Sequence, residues 1–458
     1  MYRFAQRGLF VFVLALTASE RQAEGQTSDS TQGTAESRFD VKLLDSPPQT
    51  RRETQEELDT RVRELEKQLA NLSENEIKAE LKLLRKPSSR ITGRIMTDWV
   101  HYGQDAANKA TVGNLMNGAE FRRTRLGIKG RVYETTFYEW ELDFSDGEIE
   151  YKDLYIGMDG LGISGAVVLG HFKEPFSFDE LTSSRYISLL ERALPNVFAP
   201  SRALGAAYYN VSDDERMTFA IGTFNTTLVE ETGGFQNDNG GQDVTTRLTW
   251  LPYYDEPSEG RYLVHLGANY SFRKIADDMV QYKQRPEAHL SSLRFVDTGV
   301  IPASQVQLFS AEMAWVSGPL SLQSEYIASF VDRNNASGVA FHGAYVLVSY
   351  FLTGENRVYD REAAEFDRVK PYNSFVDFTD DGELCRGYGA WEVAARWSYL
   401  DLDDKNIAGG TLQDFTIGLN WHLTPYTRIM CNYVRANLDR NMLKSHANIF
   451  AIRAQIDF

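Results

Sequence analysis

Arg123, Arg125, Lys129 and Arg131 occupy alternate positions of one short run, with a single gap at Gly127. In an extended strand alternate residues share a face, so these cations would follow one another at roughly 7 Å intervals. Such a row suits the passage of an anion, which needs fixed positive charge or donors that replace part of its hydration without trapping it. Arginine is apt for oxyanions because its planar fork offers paired donors and keeps its charge. Arg94 takes the inward phase in the preceding segment, and Arg247, Arg273, Arg396 and Arg453 take it in later ones. Glu139, Glu141 and Asp143 share one phase of the next segment and can pair with the row across strands. Two readings are open at this point: an ion path with a basic lining, or a wall whose charges cancel.

A second group of charges belongs to the stretch Pro175 to Arg202, which lies between two strand-like segments. It contains Leu189-Leu190 and Ala193-Leu194, and a loop with its own apolar cluster folds against something rather than standing in solvent. Inside a wide barrel it would narrow the pore, with Lys173, Arg185, Arg192 and Arg202 as basic candidates at the constriction. Asp179, Glu180 and Glu191 bring the local balance close to neutral. Catalytic and metal chemistry finds no pattern. The chain has no G-x-x-x-x-G-K-[ST], H-E-x-x-H or G-x-S-x-G, its seven histidines are scattered singly, and its two cysteines have no zinc spacing. Neither a cofactor nor a metal is expected. Cys385, in a loop-like stretch, and Cys431, on an outward phase, read as unpaired thiols.

Strands must carry these residues. From Arg90 onward apolar and polar side chains alternate with period two. Tyr138, Trp140, Leu142 and Phe144 oppose Glu139, Glu141 and Asp143; Phe450, Ile452, Ala454, Ile456 and Phe458 oppose Arg453, Gln455 and Asp457. There are about 16 such segments, roughly twice the length of strands in soluble sandwiches and matched to a bilayer's hydrocarbon thickness. Sixteen strands enclose a lumen too wide for wall side chains to fill, so the charged face should point inward to water and the apolar face outward to lipid. Trp99, Trp140, Tyr155, Trp250, Tyr270, Trp397 and Trp421, near strand ends, suit interfacial girdles. The final aromatic, Phe458, has the look of an outer-membrane assembly signal. The expected fold is all-β: a transmembrane antiparallel up-and-down barrel. One tension remains. The twelfth strand, about Val339 to Leu352, should run inward, leaving 353–387 on the periplasmic side, where turns are normally short. Either that turn is an exception, or a strand has been miscounted.

No run of about 20 apolar residues exists, which excludes helical membrane spans. With 48 Lys and Arg against 64 Asp and Glu, the chain carries −16, which argues against a sequence-independent nucleic-acid binder. Ahead of the barrel, residues 1–23 have the layout of a secretory signal peptide, with Arg3 and Arg7 before a short apolar run. Residues 24–50 have the composition of a disordered spacer. Over 51–86, Leu58, Val62, Leu65, Leu69 and Leu72 form a heptad seam that slips by one residue to Ile77, Leu81 and Leu84, which predicts a short periplasmic coiled coil. The barrel domain then occupies 90–458.

Several blocks, in order, resemble the phosphate-selective porins, the porin O and porin P group. They are Phe121-Arg-Arg-Thr-Arg-Leu-Gly-Ile-Lys-Gly130, Gly170-His-Phe-Lys-Glu-Pro-Phe-Ser177, and Leu181-Thr-Ser-Ser-Arg185 with Glu191-Arg-Ala-Leu-Pro195. Ser349-Tyr-Phe-Leu-Thr-Gly-Glu355, Gly389-Ala-Trp-Glu-Val-Ala-Ala-Arg-Trp-Ser398 and Gly418-Leu-Asn-Trp-His422 follow. The resemblance covers about 90–458 and leaves the coiled coil as an addition. It implies a homotrimer of 16-stranded barrels in the bacterial outer membrane, each with a long third loop folded into its pore. In phosphate-specific relatives basic side chains dominate that loop region, whereas here Asp179, Glu180 and Glu191 accompany them. The expected function is passive diffusion of small hydrophilic solutes with an anion or phosphate preference. A barrel that only anchors a coiled coil gripping the cell wall, and a barrel enzyme, are the alternatives.

Overall fold

The computed structural model describes residues 87–145, 147–161, 165–225, 241–275, 278–378 and 382–458. The signal peptide, spacer and coiled coil expected over 1–86 lie outside the described residues. Sixteen long strands follow one another in a single antiparallel sheet. The first eight are β1 (Ser88–Gln104), β2 (Gly118–Tyr133), β3 (Thr136–Asp143), β4 (Glu150–Asp159), β5 (Ala166–Lys173), β6 (Arg202–Val211), β7 (Met217–Asn225) and β8 (Asp243–Tyr254). They are continued by β9 (Tyr262–Lys274), β10 (Ile301–Ser317), β11 (Leu320–Arg333), β12 (Val339–Phe351), β13 (Ala390–Asp404), β14 (Ile407–Thr424), β15 (Thr427–Arg440) and β16 (Leu443–Asp457). Each pairs with the next, and β16 pairs with β1 from Arg94↔Asp457 to Gln104↔Ala447, so the sheet closes on itself. Closure leaves no strand edge, which is what a β-structure needs in order to stand in lipid.

The outward phase is the apolar one, as the alternation predicts. Trp99, Leu126, Trp140, Trp250, Trp397, Phe415 and Phe450 are all exposed on the outside. Contiguous apolar surface of this extent belongs against hydrocarbon. Tyr155 departs from expectation: it points inward, packed with Phe137, Phe172 and Phe224, and its hydroxyl donates to Glu139 at 2.9 Å. An irregularity in the β3–β4 register, between Trp140 and Leu142, lies beside it, and such a step defeats a simple count of alternate residues.

The interior also departs from the expectation of a wholly polar, wet lumen. Segments 174–201 and 278–300 fold into the ring and carry apolar groups with them. Phe198, Tyr282, Phe295 and Val296 are buried in one cluster with the inward-facing Phe341, Leu400, Leu412, Val434 and Ile449. Inward positions here are apolar because loops, not wall side chains, occupy the space. The wall is shaped to receive them. A Cβ on Gly418 would stand 2.5 Å from Leu189 Cδ2, and one on Gly343 would stand 2.9 Å from Pro195 Cγ.

Both ends of the wall, Ser88 and Asp457, lie at one rim, called here the terminal rim. Turns there are mostly tight, as at Gly318-Pro319 and Pro425-Tyr426. Segment 352–389 is the exception. Sixteen strands are the expected number, so the count stands and the long turn does lie at the terminal rim.

Candidate functional site: the constricted lumen

The loop leaving β5 crosses the lumen and is tied to the far wall by hydrogen bonds from side chains to its backbone. Its first turn, Phe178–Leu181, starts on the Glu325 carboxylate of β11. That group accepts from Ser177 Oγ at 3.1 Å, Phe178 N at 3.0 Å and Asp179 N at 3.1 Å. Farther along, Arg428 donates to Ile187 O at 2.8 Å, Asn420 to Ser188 O at 2.7 Å, and Arg453 to Leu190 O at 2.7 Å. Leu194 N donates to Ser398 Oγ at 2.9 Å. These polar side chains, inward on β13 to β16, satisfy backbone groups that a buried loop would otherwise leave unpaired.

The long turn at the terminal rim forms the second jaw. Its hairpin, Val358–Asp360 paired with Glu365–Asp367, reaches up inside the ring. Arg247 donates to Ala364 O at 2.8 Å, and Tyr359 Oη lies 2.7 Å from His265 Nδ1. Phe366 packs edge-on to Phe178 at 5.1 Å between ring centres. Arg357 joins the two jaws, donating to Ser188 Oγ at 2.5 Å and Tyr186 O at 3.2 Å while stacking over Phe366 at 3.9 Å.

Most of the basic residues singled out in the sequence are inward and engaged with carboxylates. Arg94 reaches Glu141 at 2.5 Å, and Arg125 reaches Glu141 at 3.0 Å and Asp143 at 2.7 Å. Arg131 meets Asp159 at 2.7 Å, Arg247 meets Glu312 at 2.7 Å, and Arg273 bridges Glu174 and Asp243. Arg396 meets Glu287 at 2.6 Å. Arg453 grips Asp98 with both arms of its fork at 2.7 Å and touches Glu191 at 2.9 Å. Arg202 holds Asp153 at 2.6 Å. Lys173 and Arg192 turn toward Glu180 at 3.7 and 3.4 Å. Of the acidic group, Glu141 and Asp143 serve the row, whereas Glu139 receives the Tyr155 hydroxyl instead. Arg123 is different. It is buried and its side chain donates to the Met96 sulfur at 3.7 Å, with no carboxylate within ion-pair reach among the described residues. Lys129 likewise has no ion pair among the described residues.

Sequence reasoning missed four lumen cations. Arg122 turns inward because a bulge opposite Met96 and Thr97 breaks the alternation, and it clasps Glu191 at 2.8 and 3.0 Å. Arg357 and Arg368 come from the long turn, whose excess length was the one available signal. Arg428 begins β15 on the inward phase. The loop carboxylates are strongly held. Burial alone would raise Glu180, but Arg192 and Lys173 outweigh it and bring it down to about 2. Burial also opposes ionisation of Glu191, yet Arg122 and Arg453 hold it well below the usual carboxylate range. Glu365 goes the other way. Burial, with the like charge of Asp360 and Asp367 against the pull of Lys173, pushes it up to about 8.

Residues 90–458 match the family model described as phosphate-selective porin O and P. Porin O of Pseudomonas aeruginosa is 23% identical over 389 residues, covering 77% of this chain and 84% of that protein. An uncharacterized protein of Caulobacter vibrioides is 29% identical over 357 residues, covering 76% and 68%. Among solved structures, the anion-selective porin from Comamonas acidovorans superposes with a TM-score of 0.51 at 13% identity, covering 81% of this chain and 100% of that one. OmpT, an outer-membrane protein of Vibrio cholerae, gives 0.51 at 12% identity, covering 81% and 98%. The closed sixteen-stranded wall, its lipid-facing surface and this match over nearly the whole described chain place the protein in the phosphate-selective porin O and P family of the outer membrane.

Proposed function

We propose that the barrel passes small hydrophilic solutes by passive diffusion and favours anions, phosphate among them, with three copies assembled side by side. The observation that carries this reading is an imbalance at the constriction. Arg123, Arg357 and Arg428 each stand in or beside the narrow zone with hydrogen bonds to neutral groups only. The lumen carboxylates beside them are already occupied by guanidinium, amide or hydroxyl donors. An ion on its path feels the local potential, focused by low-dielectric walls, so the chain's overall negative charge does not set selectivity. The paired residues Arg94, Arg125, Arg131, Arg247, Arg273, Arg396 and Arg453 then act chiefly as wall and loop braces. Lys173 at the end of β5, Arg185 and Arg192 in the loop, and Arg202 at the start of β6 line the narrowing. The kinship to porin O and the fold shared with an anion-selective porin point the same way. The heptads over 51–86 fit a periplasmic coiled coil that follows the barrel's own trimer and reaches toward the cell wall.

Planar-bilayer recording tests the proposal. Stepwise conductance is expected, with a reversal potential under a potassium chloride gradient whose sign gives chloride the larger permeability. Absence of steps would end the channel reading, and a cation-selective reversal would end the anion preference.

A further inference from the structure

The long turn at the terminal rim does not end inside the ring. Its first hairpin rises in the lumen, but the chain then crosses the rim at the tight turn Pro425-Tyr426, where Arg368 donates to Pro425 O. It emerges outside the wall. Phe375 N donates to Leu423 O at 2.6 Å, and the Phe375 ring meets Trp421 edge-on at 4.9 Å. Trp421 lies on the lipid-facing phase of β14 and stacks on Trp391 of β13, with 5.1 Å between ring centres. The two indole N–H groups donate to Tyr388 O, at 2.8 and 3.1 Å. Between Phe375 and Tyr388 stands a second small hairpin, in which Asp377 pairs with Cys385 and Phe378 with Leu384. Its base is closed by Gly387 N on Ser374 O at 3.0 Å and Gly389 N on Asn373 O at 3.0 Å.

Directly paired residues of a hairpin share a face, and so do alternate residues of each strand. Val376, Phe378 and Leu384 therefore take one face, and Asp377, Glu383 and Cys385 the other. The apolar face is open. Phe378 is 68% exposed and Leu384 53%, and Tyr388 at the base is 84% exposed. The depth of the hairpin decides what covers that face. Trp391 and Trp421 are the aromatics nearest the rim on the outward phase of β13 and β14, the level at which such rings meet lipid headgroups. Beyond them on β14, Leu419, Ile417 and Phe415 form part of the hydrocarbon-facing band. A hairpin pinned to those two indoles has its apolar face continuous with the lipid-facing wall. We propose that this hairpin is a membrane foot. Phe378 and Leu384 lie in the headgroup–acyl boundary of the terminal-rim leaflet, while Asp377 and Glu383 face water. The chemistry is that of an interfacial amphipathic helix, carried by a β-ribbon. Because the same turn bears the lumen hairpin, the foot grips from outside the ring the segment that narrows it from within. The inference holds whatever solute the pore conducts.

The test uses the full chain reconstituted in phosphatidylcholine vesicles, with Cys431→Ala as background so that one thiol takes the label. An environment-sensitive fluorophore is placed on exposed Cys385, on the acidic face. In a second variant, Leu384→Cys with Cys385→Ser, the same fluorophore sits on the apolar face. The quenchers are iodide, present on both sides of the membrane, and phosphatidylcholine carrying a nitroxide near the headgroup end of its acyl chain. Each apolar side chain withdrawn from water favours the seated state by roughly tenfold. The label at position 384 should therefore be quenched by the nitroxide lipid, and about fivefold less by iodide than the label on Cys385. Adding Phe378→Asp should lift the foot and restore iodide quenching at 384. Equal iodide quenching at both positions would overturn the proposal, since the hairpin would then stand in water as a surface open to a soluble protein. Shielding of position 384 from iodide and nitroxide lipid alike would also overturn it, by pointing to contact between copies of the chain. Should Leu384→Cys fail to assemble, Phe378→Cys reports on the same face.

Discussion

Glu325 is the residue on which the start of the constriction loop depends, and Glu325→Gln is the sharpest perturbation of it. Its carboxylate receives Ser177 Oγ, Phe178 N and Asp179 N from the loop, and Ser310 Oγ and Tyr345 Oη from the wall, at 3.0 to 3.2 Å. Glutamine keeps the volume but leaves one acceptor oxygen and turns an NH2 donor toward groups that are themselves donors. At least one of the two backbone N–H groups, and one hydroxyl, then lose their acceptor while buried. Each stranded group costs about 1–3 kcal/mol, so the anchor of the first loop turn weakens by roughly 2–6 kcal/mol. The ties farther along, from Asn420, Arg428, Arg453 and Ser398, are untouched. The expected phenotype is therefore local release. Residues near 178–182 detach, the later loop stays on the wall, single-channel conductance rises, and open-channel noise increases. Heat-modifiability should stay near wild type, since no wall pairing is lost. Conductance and noise indistinguishable from wild type would refute the claim that this carboxylate sets the aperture.

Other outcomes separate wall structure from ion path. Arg123→Gln should reduce anion preference with little loss of stability, because the group donates only to a sulfur; reversal potential and unfolding temperature check the two halves. Arg125→Gln should instead destabilise the barrel by about 3–5 kcal/mol, since it strips Glu141 and Asp143 of a buried partner, visible as a lower temperature of heat modification. The pH response follows Glu365. Its carboxyl is held up to about 8 in the docked hairpin, so docking is favoured fully below the ordinary carboxylate range and progressively lost as pH rises through 8. Channel noise should grow from about pH 5 to pH 8 and level off above that, and Glu365→Gln should remove that dependence. Deleting Arg51–Lys86 should leave trimers intact on native gels if the barrel walls hold the subunits together.

The wall was legible because period-two alternation is a local signal, and closing a long sheet in lipid leaves few alternatives. Arg94, Arg396 and Arg453 are inward for that reason alone. What fills the wall was not legible. Ile449 and Val434 face inward yet are apolar, next to outward Phe450 and Tyr433, so β15 and β16 are apolar on both faces at mid-height, and only the folded loops explain why. Pairing partners were partly readable. Glu141 and Asp143 lie on the adjacent strand, but Arg453 with Asp98 requires the ring to close across 355 residues. Arg122 was hidden by a bulge, which has no sequence signature here. Arg357 belongs to a turn whose anomalous length was visible while its course was not.

The loop's ties also fix a sequence of events during folding. The segment leaves the wall at residue 174, yet its backbone is tied to β11 and to β13 to β16, at separations of 148 residues for Ser177 with Glu325 and 263 for Leu190 with Arg453. Contacts that distant form late, because the intervening chain must surrender its freedom first. A nascent barrel built only to β12 would have Glu325, Arg94 and Arg122 to hold parts of its loop but none of the β13 to β16 ties to the backbone of 187–194. Its apolar Leu190 and Leu194 would lack their cover from Leu400, Leu412, Val434 and Ile449, and Leu189 its cover from Ala394, until the last strands arrive. The final four strands therefore do two jobs in one step: they close the ring and they seat the loop. A lesion in β15 or β16 should accordingly yield chains that are sticky and protease-sensitive at 183–194, a region far from the lesion in sequence.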